Sequence, residues 1–133
     1  MMSNWIKRKK TKTLNVGGVM VGGSNPISVQ SMTNTNTCDV VSTVKQWNDR
    51  VSAGADLVRV WVPGCEVAKA VREITRATSI PGVADIHFDY KIAIEVADTA
   101  DCLRINPGNI GKEDRVRQVI NAAKDNNVPI RVG

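Results

Sequence analysis

The chain has 133 residues, of which 42% are hydrophobic and 4% aromatic, with a formal net charge of +5. That length is one domain's worth and the apolar fraction is enough for a packed core. No apolar run approaches the roughly 20 residues of a membrane span, and no apolar segment follows the basic N-terminal stretch, so neither a membrane protein nor a secretory signal is expected and a cytoplasmic location is.

Much of the charge lies in Lys7-Arg8-Lys9-Lys10-Thr11-Lys12. The run has no interleaved aromatics and belongs to no nucleic-acid motif, so residues 1–11 read as a solvated, flexible arm. Cys38, Cys65 and Cys102 are odd in number and widely spaced. They form no Cys-x-x-Cys pair, which argues against a disulfide framework and against a self-contained zinc or iron–sulfur site.

From Thr13 to Gly23 the pattern Leu14, Val16, Gly17-Gly18, Val19, Val21 predicts a small hairpin, either capping one end of a barrel or standing alone at an edge. From Pro26 onwards a strand–helix rhythm begins. Ile27–Met32 is a strand with Ile27 and Val29 on one face and Ser28, Gln30 and Met32 on the other. A polar loop, Thr33–Thr37, leads to Asp39 as N-cap of a helix whose apolar stripe is Val40, Val44, Trp47 and Val51, and Gly54 stops it. A second unit has strand Leu57–Val62, a Pro63-Gly64 turn and a helix carrying Val67, Val71 and Ile74. The third has strand Val83–Ile86, a loop through His87 and Phe88, and a short helix from Asp89 to Asp98. Strand Cys102–Ile105 opens the fourth, followed by a loop from Asn106 to Gly111 and a helix with Val116, Val119, Ile120 and Ala123. A fifth strand spans Pro129–Val132.

Alternation of this kind means parallel βα units. The strand faces choose between the two parallel architectures. A doubly wound sheet meets helices on both faces and both should be apolar. Here one face is apolar (Val58, Val60, Val62; Ala84, Ile86; Leu103, Ile105; Ile130, Val132), while the other carries Gln30, Arg59, Asp85, His87, Arg104, Asn106 and Arg131. A polar inner face belongs to a (β/α)8 barrel, whose site lies at the C-terminal mouth. The expected fold is therefore α/β, a partial TIM barrel of five parallel strands and four helices behind a small hairpin. Residues 12–133 form the N-terminal part of that domain. Since a complete barrel takes about 250 residues, the chain either is a fragment or associates with a partner that completes the sheet.

Arg59, Arg104 and Arg131 share the inner face with a single carboxylate, Asp85. Three guanidiniums so placed require an anion, and their planar forks suit phosphate oxygens. The competing reading is an internal ion-pair network with Asp85 and main-chain carbonyls. His87, the chain's one histidine, stands near the same strand end, as a phosphate donor, a proton carrier or a structural residue. With Asp85 it makes two ligands, too few for a metal site. The Gly108–Gly111 loop adds backbone N–H donors.

These strings occur in the order of a known family. Pro26-Ile27-x-Val29-Gln30-Ser31-Met32-Thr33-Asn34-Thr35, Val58-Arg59-Val60, Val83-Ala84-Asp85-Ile86-His87-Phe88-Asp89-Tyr90, Leu103 to Gly111 and Pro129-Ile130-Arg131 carry the likeness. From about Lys9 onwards the chain resembles the N-terminal part of the 4-hydroxy-3-methylbut-2-enyl diphosphate synthases, iron–sulfur enzymes of the methylerythritol phosphate route to isoprenoids. The resemblance implies a barrel that binds 2-C-methyl-D-erythritol 2,4-cyclodiphosphate. It also implies a separate C-terminal domain with a [4Fe-4S] cluster, electrons from ferredoxin or flavodoxin, and a homodimer in which one subunit's cluster domain covers the other's barrel. By motif position Arg59, His87, Arg104 and Arg131 match the family's diphosphate-binding residues, with Asp85 and Asn106 beside them.

Three departures qualify the likeness. The cluster domain is not in these 133 residues and none of the three cysteines falls on a ligand position, so the chain alone is expected to be inactive. Trp61 stands where the family has a small hydroxyl residue, on Arg59's face, where an indole would obstruct the pocket. The turn Asp98-Thr99-Ala100 is short and lacks a glycine, which puts the helix exit in question. A binding-only half-barrel that self-associates is the alternative reading.

Overall fold

The computed structural model describes residues 7–133. The first half of the predicted arm, residues 1–6, lies outside them. Arg8 donates from its guanidinium to the carbonyl of Asn25 (3.1 Å), and Thr11 Oγ1 accepts from Gly23 N–H (2.9 Å). This end of the arm therefore lies along the loop that leaves the hairpin.

β1 (Leu14–Val16) and β2 (Val19–Val21) form the predicted antiparallel hairpin. Its two-residue turn takes Gly17 at φ +57° and Gly18 at φ +101°, conformations that glycine adopts without strain. Asn15 Oδ1 accepts from Gly18 N–H at 2.7 Å. A Cβ at Gly17 would lie 2.8 Å from Pro81 Cβ and 2.9 Å from Asp101 Cβ, so the turn rests against the loops that enter two of the sheet strands. Buried Val16 packs with Leu57, Val83 and Cys102, at or next to the first residues of their strands. Of the two roles open to the hairpin, it takes the cap: it plugs the N-terminal end of the sheet.

β3 (Gln30–Met32), β4 (Leu57–Trp61), β5 (Gly82–Ile86), β6 (Cys102–Ile105) and β7 (Ile130–Val132) make one sheet in the order β3-β4-β5-β6-β7, parallel throughout. The helices between them are α1 (Val40–Ser52), α2 (Val67–Ala77), α3 (Tyr90–Val96), α4 (Pro107–Ile110) and α5 (Glu113–Asp125). The apolar strand face meets these helices. Val58, Val60, Val62, Ala84, Ile86, Leu103 and Ile105 join Trp47, Val71, Ile74, Ile92, Val96, Val119 and Ala123 in a single buried cluster. The opposite face carries the polar residues in layers: Leu57, Val83 and Cys102 at the bottom against the hairpin, then Arg59, Asp85 and Arg104, with His87 and Asn106 at the strand ends. Arg131 of β7 bonds to Gln30 of β3, so the five strands curl far enough for the two edge strands to reach one another. This is the curvature of a barrel wall.

Caps explain the helix boundaries. Asp39 accepts from Ser42 N–H at 3.1 Å and starts α1 as expected, and Asp89 accepts from Lys91 N–H at 2.9 Å and starts α3. Trp47 is the largest buried side chain of α1, and the absence of a side chain at Gly82 makes room for it; a Cβ there would sit 2.6 Å from the indole.

The structure differs from the sequence reading in four places. β3 begins at Gln30 rather than Ile27, and Ile27 and Val29 are 80% and 56% exposed. The ladder starts with Gln30 beside Leu57, and Val29 is held instead by Asp56, whose Oδ2 accepts its N–H at 2.8 Å. The predicted Asn106–Gly111 loop holds a short helix, α4, which Gly111 at φ +130° separates from α5, the predicted fourth helix. α3 stops at Val96, two residues early. Finally, the Asp98–Ala100 turn closes without a glycine, because Thr99 and Ala100 both donate their N–H groups to the Val96 carbonyl (3.0 and 2.9 Å).

A candidate anion site at the sheet mouth

Asp85 is the hub of the polar layer. It is 2% exposed, near the C-terminal end of β5, where a buried carboxylate needs partners. Arg59 Nε approaches its Oδ2 at 3.4 Å from β4, and Arg104 Nη1 approaches its Oδ1 at 3.2 Å from β6. The parallel register places Arg104 directly beside Asp85 and Arg131 directly beside Arg104. Arg59 also donates to the sulfur of Met32 from Nε and Nη2 (3.4 and 3.3 Å). Arg131 finds only the neutral side-chain oxygen of Gln30. Among the described residues three guanidiniums thus face one carboxylate on this face of the sheet, and two positive charges have no compensating anion there.

His87 lies one step towards the mouth. Its Nδ1 is buried without a hydrogen-bond partner, 4.0 Å from Asp85 Oδ1, and the ring is otherwise two-fifths exposed. Trp61 meets it edge-on, with ring centroids 6.4 Å apart and planes at 88°. Asn106 serves a different purpose from its neighbours: its side-chain oxygen accepts from Gly108 N–H at 3.0 Å and caps α4, with Pro107 at the first helical position.

A cavity of about 450 Å³ opens at this end of β4 and β5. Of the six residues that the sequence proposes, Arg59, Asp85 and His87 line it; Arg104, Arg131 and Asn106 do not. Arg104 reaches it through Asp85, and Arg131 extends from β7 to Gln30 of β3 instead. The lining also includes Met32, Trp61 and Phe88, none of which the sequence reading placed in the site set. Strand parity was the available signal for Met32, two residues from Gln30 on the same face. Trp61 was foreseen as an obstruction and does stand in the wall.

The described residues do not fit an iron–sulfur cluster. Cys38 and Cys65 are exposed in separate loops, and Cys102 is buried in the bottom layer beneath the arginines. A hydrogen bond with Glu95 pushes the Cys65 thiol pKa up, and burial does the same for Cys102, which disfavours the thiolate that a metal needs. No group of three His, Cys, Asp or Glu side chains among the described residues is placed to hold a metal ion. Nor is any described helix long and apolar enough to cross a membrane.

Fold and site together define one wall of a (β/α)8 barrel, plugged at the bottom and cationic at the mouth. Among solved structures it is similar to the dihydropteroate synthase of Yersinia pestis, with a TM-score of 0.67 at 16% identity over 90% of this chain and 45% of that one. The enzyme of the same name from Xanthomonas albilineans superposes with a TM-score of 0.62 at 14% identity, covering 89% of this chain and 50% of that one. At these identities the likeness is one of fold.

Residues 11–133 match the family model described as the GcpE TIM-barrel domain, and the chain belongs to that family. Its curated relatives include the 4-hydroxy-3-methylbut-2-en-1-yl diphosphate synthase (flavodoxin) of Marinobacter nauticus, 61% identical over 129 residues, or 96% of this chain and 35% of that protein. The protein of the same name from Chromohalobacter salexigens is 57% identical over 133 residues, covering 99% of this chain and 36% of its own length. The chain spans about a third of the length of these relatives.

Proposed function

We propose that this chain supplies the anion-binding part of a 4-hydroxy-3-methylbut-2-enyl diphosphate synthase barrel. Its ligand is a diphosphate, and in the whole enzyme that ligand is 2-C-methyl-D-erythritol 2,4-cyclodiphosphate. The observation that carries this is the charge count on the inner face: Arg59, Arg104 and Arg131 against the one carboxylate of Asp85. A pyrophosphate group brings the missing negative charge, and guanidinium pairs bind its oxygens with charge-assisted hydrogen bonds. His87 contributes a further donor from the exposed side of its ring, and the N–H groups at the start of α4 lie beyond Asn106. The family's reduction requires a [4Fe-4S] cluster and electrons from flavodoxin or ferredoxin, and the chain's own residues offer no place for the cluster. Its role is to hold the anion in a cytoplasmic homodimeric enzyme, and by itself it should not turn over substrate.

Calorimetric titration of the 133-residue chain with the cyclodiphosphate, and with inorganic pyrophosphate, tests this. Binding should weaken by about tenfold or more in Arg104→Gln, the loss expected for one charge-assisted contact. Equal affinity in the variant, or no heat at millimolar ligand, would sink the proposal.

A specific observation favours a second reading, that of a binding module that self-associates. Among the described residues each edge strand, β3 and β7, has one side unpaired, and Val132, the last residue of β7, is 68% exposed. A stable dimer on size-exclusion chromatography that retains pyrophosphate affinity would support it; a monomer would remove it.

A further inference from the structure

Trp61 is the last residue of β4, on the same face as Arg59, and its side chain is half exposed. It borders two cavities rather than one. The first, of about 450 Å³, holds Arg59, Asp85 and His87. The second, of about 480 Å³, lies on the other side of the indole and is lined by Asn34, Thr35, Asn36, Thr37 and Cys38 of the loop after β3. Trp61 and Pro63 are the residues common to both linings.

The two compartments differ in chemistry. One has Arg59 and His87 in its wall, with the carboxylates of Asp85 and Asp89 beside them, and it lies next to the uncompensated arginine layer that a phosphate group would answer. The other is walled by the amides and hydroxyls of Asn34–Thr37 together with the Glu66 carboxylate, groups that bind the hydroxyls of a polyol or sugar and repel a phosphate. That loop is held in place from behind. Asn34 exchanges two hydrogen bonds with the Gln46 side chain (2.7 and 2.6 Å), Thr35 bonds to Thr43, and Thr37 Oγ1 donates to the Trp61 carbonyl at 2.7 Å. The Trp61 backbone is held through that carbonyl, and the His87 ring lies edge-on beside the indole. The indole therefore stands as a partition between the anion compartment and the polar one.

We infer that Trp61 is a specificity-determining residue of this mouth: it sizes the organic part of the bound anion by keeping the polar compartment out of reach. The inference rests on the anion-binding reading above. A bare pyrophosphate fits the first compartment with the indole in place. A nucleoside diphosphate, whose ribose lies beyond its phosphates, must extend further than a compact cyclic diphosphate, and the indole occupies the way to the side chains of Asn34 and Asn36. Replacing the indole with a small side chain joins the compartments.

The test compares two probes, inorganic pyrophosphate and uridine diphosphate, titrated into the wild-type chain, Trp61→Ser and Trp61→Phe at one salt concentration. The quantity read is the ratio of the two affinities. In Trp61→Ser that ratio should move towards uridine diphosphate by about tenfold, the return of one or two net hydrogen bonds to the ribose. In Trp61→Phe it should move less, because a ring still stands in the wall; this variant also keeps the test decisive if the serine chain does not fold. An unchanged ratio, with pyrophosphate still bound and weakened by Arg104→Gln, overturns the partition while the anion-binding reading survives. Failure of the wild-type chain to bind pyrophosphate overturns both.

Discussion

Replacing Asp85 with asparagine probes whether the arginine layer is built for stability or for a ligand. The carboxylate is 2% exposed and lies 3.4 Å from Arg59 and 3.2 Å from Arg104. At an effective dielectric of about 20, each contact is worth roughly 4–5 kcal/mol of Coulomb energy, against several kcal/mol for burying the charge. Asparagine keeps the shape and one acceptor but removes both ion pairs. The side chains of Arg59 and Arg104 are 30% and 21% exposed, so each recovers part of its hydration when the charge goes. The net loss should be about 2–3 kcal/mol, below that for a fully buried pair, or close to 10 °C in melting temperature for a domain of this size. Adding pyrophosphate should then raise the melting temperature of Asp85→Asn by more than that of the wild type, because two freed guanidiniums bind the anion more tightly. Thermal denaturation by circular dichroism, with and without millimolar pyrophosphate, reads both effects. If the variant melts within about 2 °C of the wild type, the ion pairs are not stabilising. If pyrophosphate lifts neither chain, the layer is a structural network and the ligand argument is wrong.

Two further outcomes follow from packing and burial. Gly82→Ala drives a methyl to within 2.6 Å of the buried Trp47 ring and should cost about 1–3 kcal/mol, measured by urea denaturation. Thiol labelling of the native chain should show two fast cysteines, Cys38 and Cys65, and a slow Cys102 that reacts on unfolding. Because the Glu95 hydrogen bond raises the Cys65 pKa, less thiolate is present at neutral pH, and Glu95→Gln should speed Cys65 labelling and move its pH profile down.

The architecture was legible because strand parity sorted the residues before any coordinates were needed. Arg59, Asp85 and Arg104 alternate with Val58, Val60, Ala84, Leu103 and Ile105, and the structure puts the first set inside and the second under the helices. Ile27 and Val29 misled because alternation alone cannot say where a neighbour begins; β4 starts at Leu57, which donates to the Val29 carbonyl (3.2 Å) but leaves Ile27 outside the ladder. The short α4 was hidden because Pro107-Gly108 reads as a turn, and only the backbone shows the loop winding through one helical turn before Gly111 ends it. Asn106 looked like an inner-face ligand by parity, yet the Asn-Pro pair is also a helix-start signal, and the cap took its side-chain oxygen. The site's division by Trp61 depends on how two loops lie around one indole, and no one-dimensional pattern encodes that.

Spatial order in the sheet repeats the order of the sequence: each strand pairs with the one before it and the one after it. Every βα unit can therefore dock on an edge already made, closing a loop of one unit's length each time, so the entropic cost of forming the sheet is met in small steps. Such a wall can assemble from its N-terminal end as the chain emerges during synthesis. The Arg131–Gln30 contact, 101 residues apart, stands outside that sequence of local closures. It can form only after the fifth strand is in place, and it would report the completion of the curl in a folding experiment.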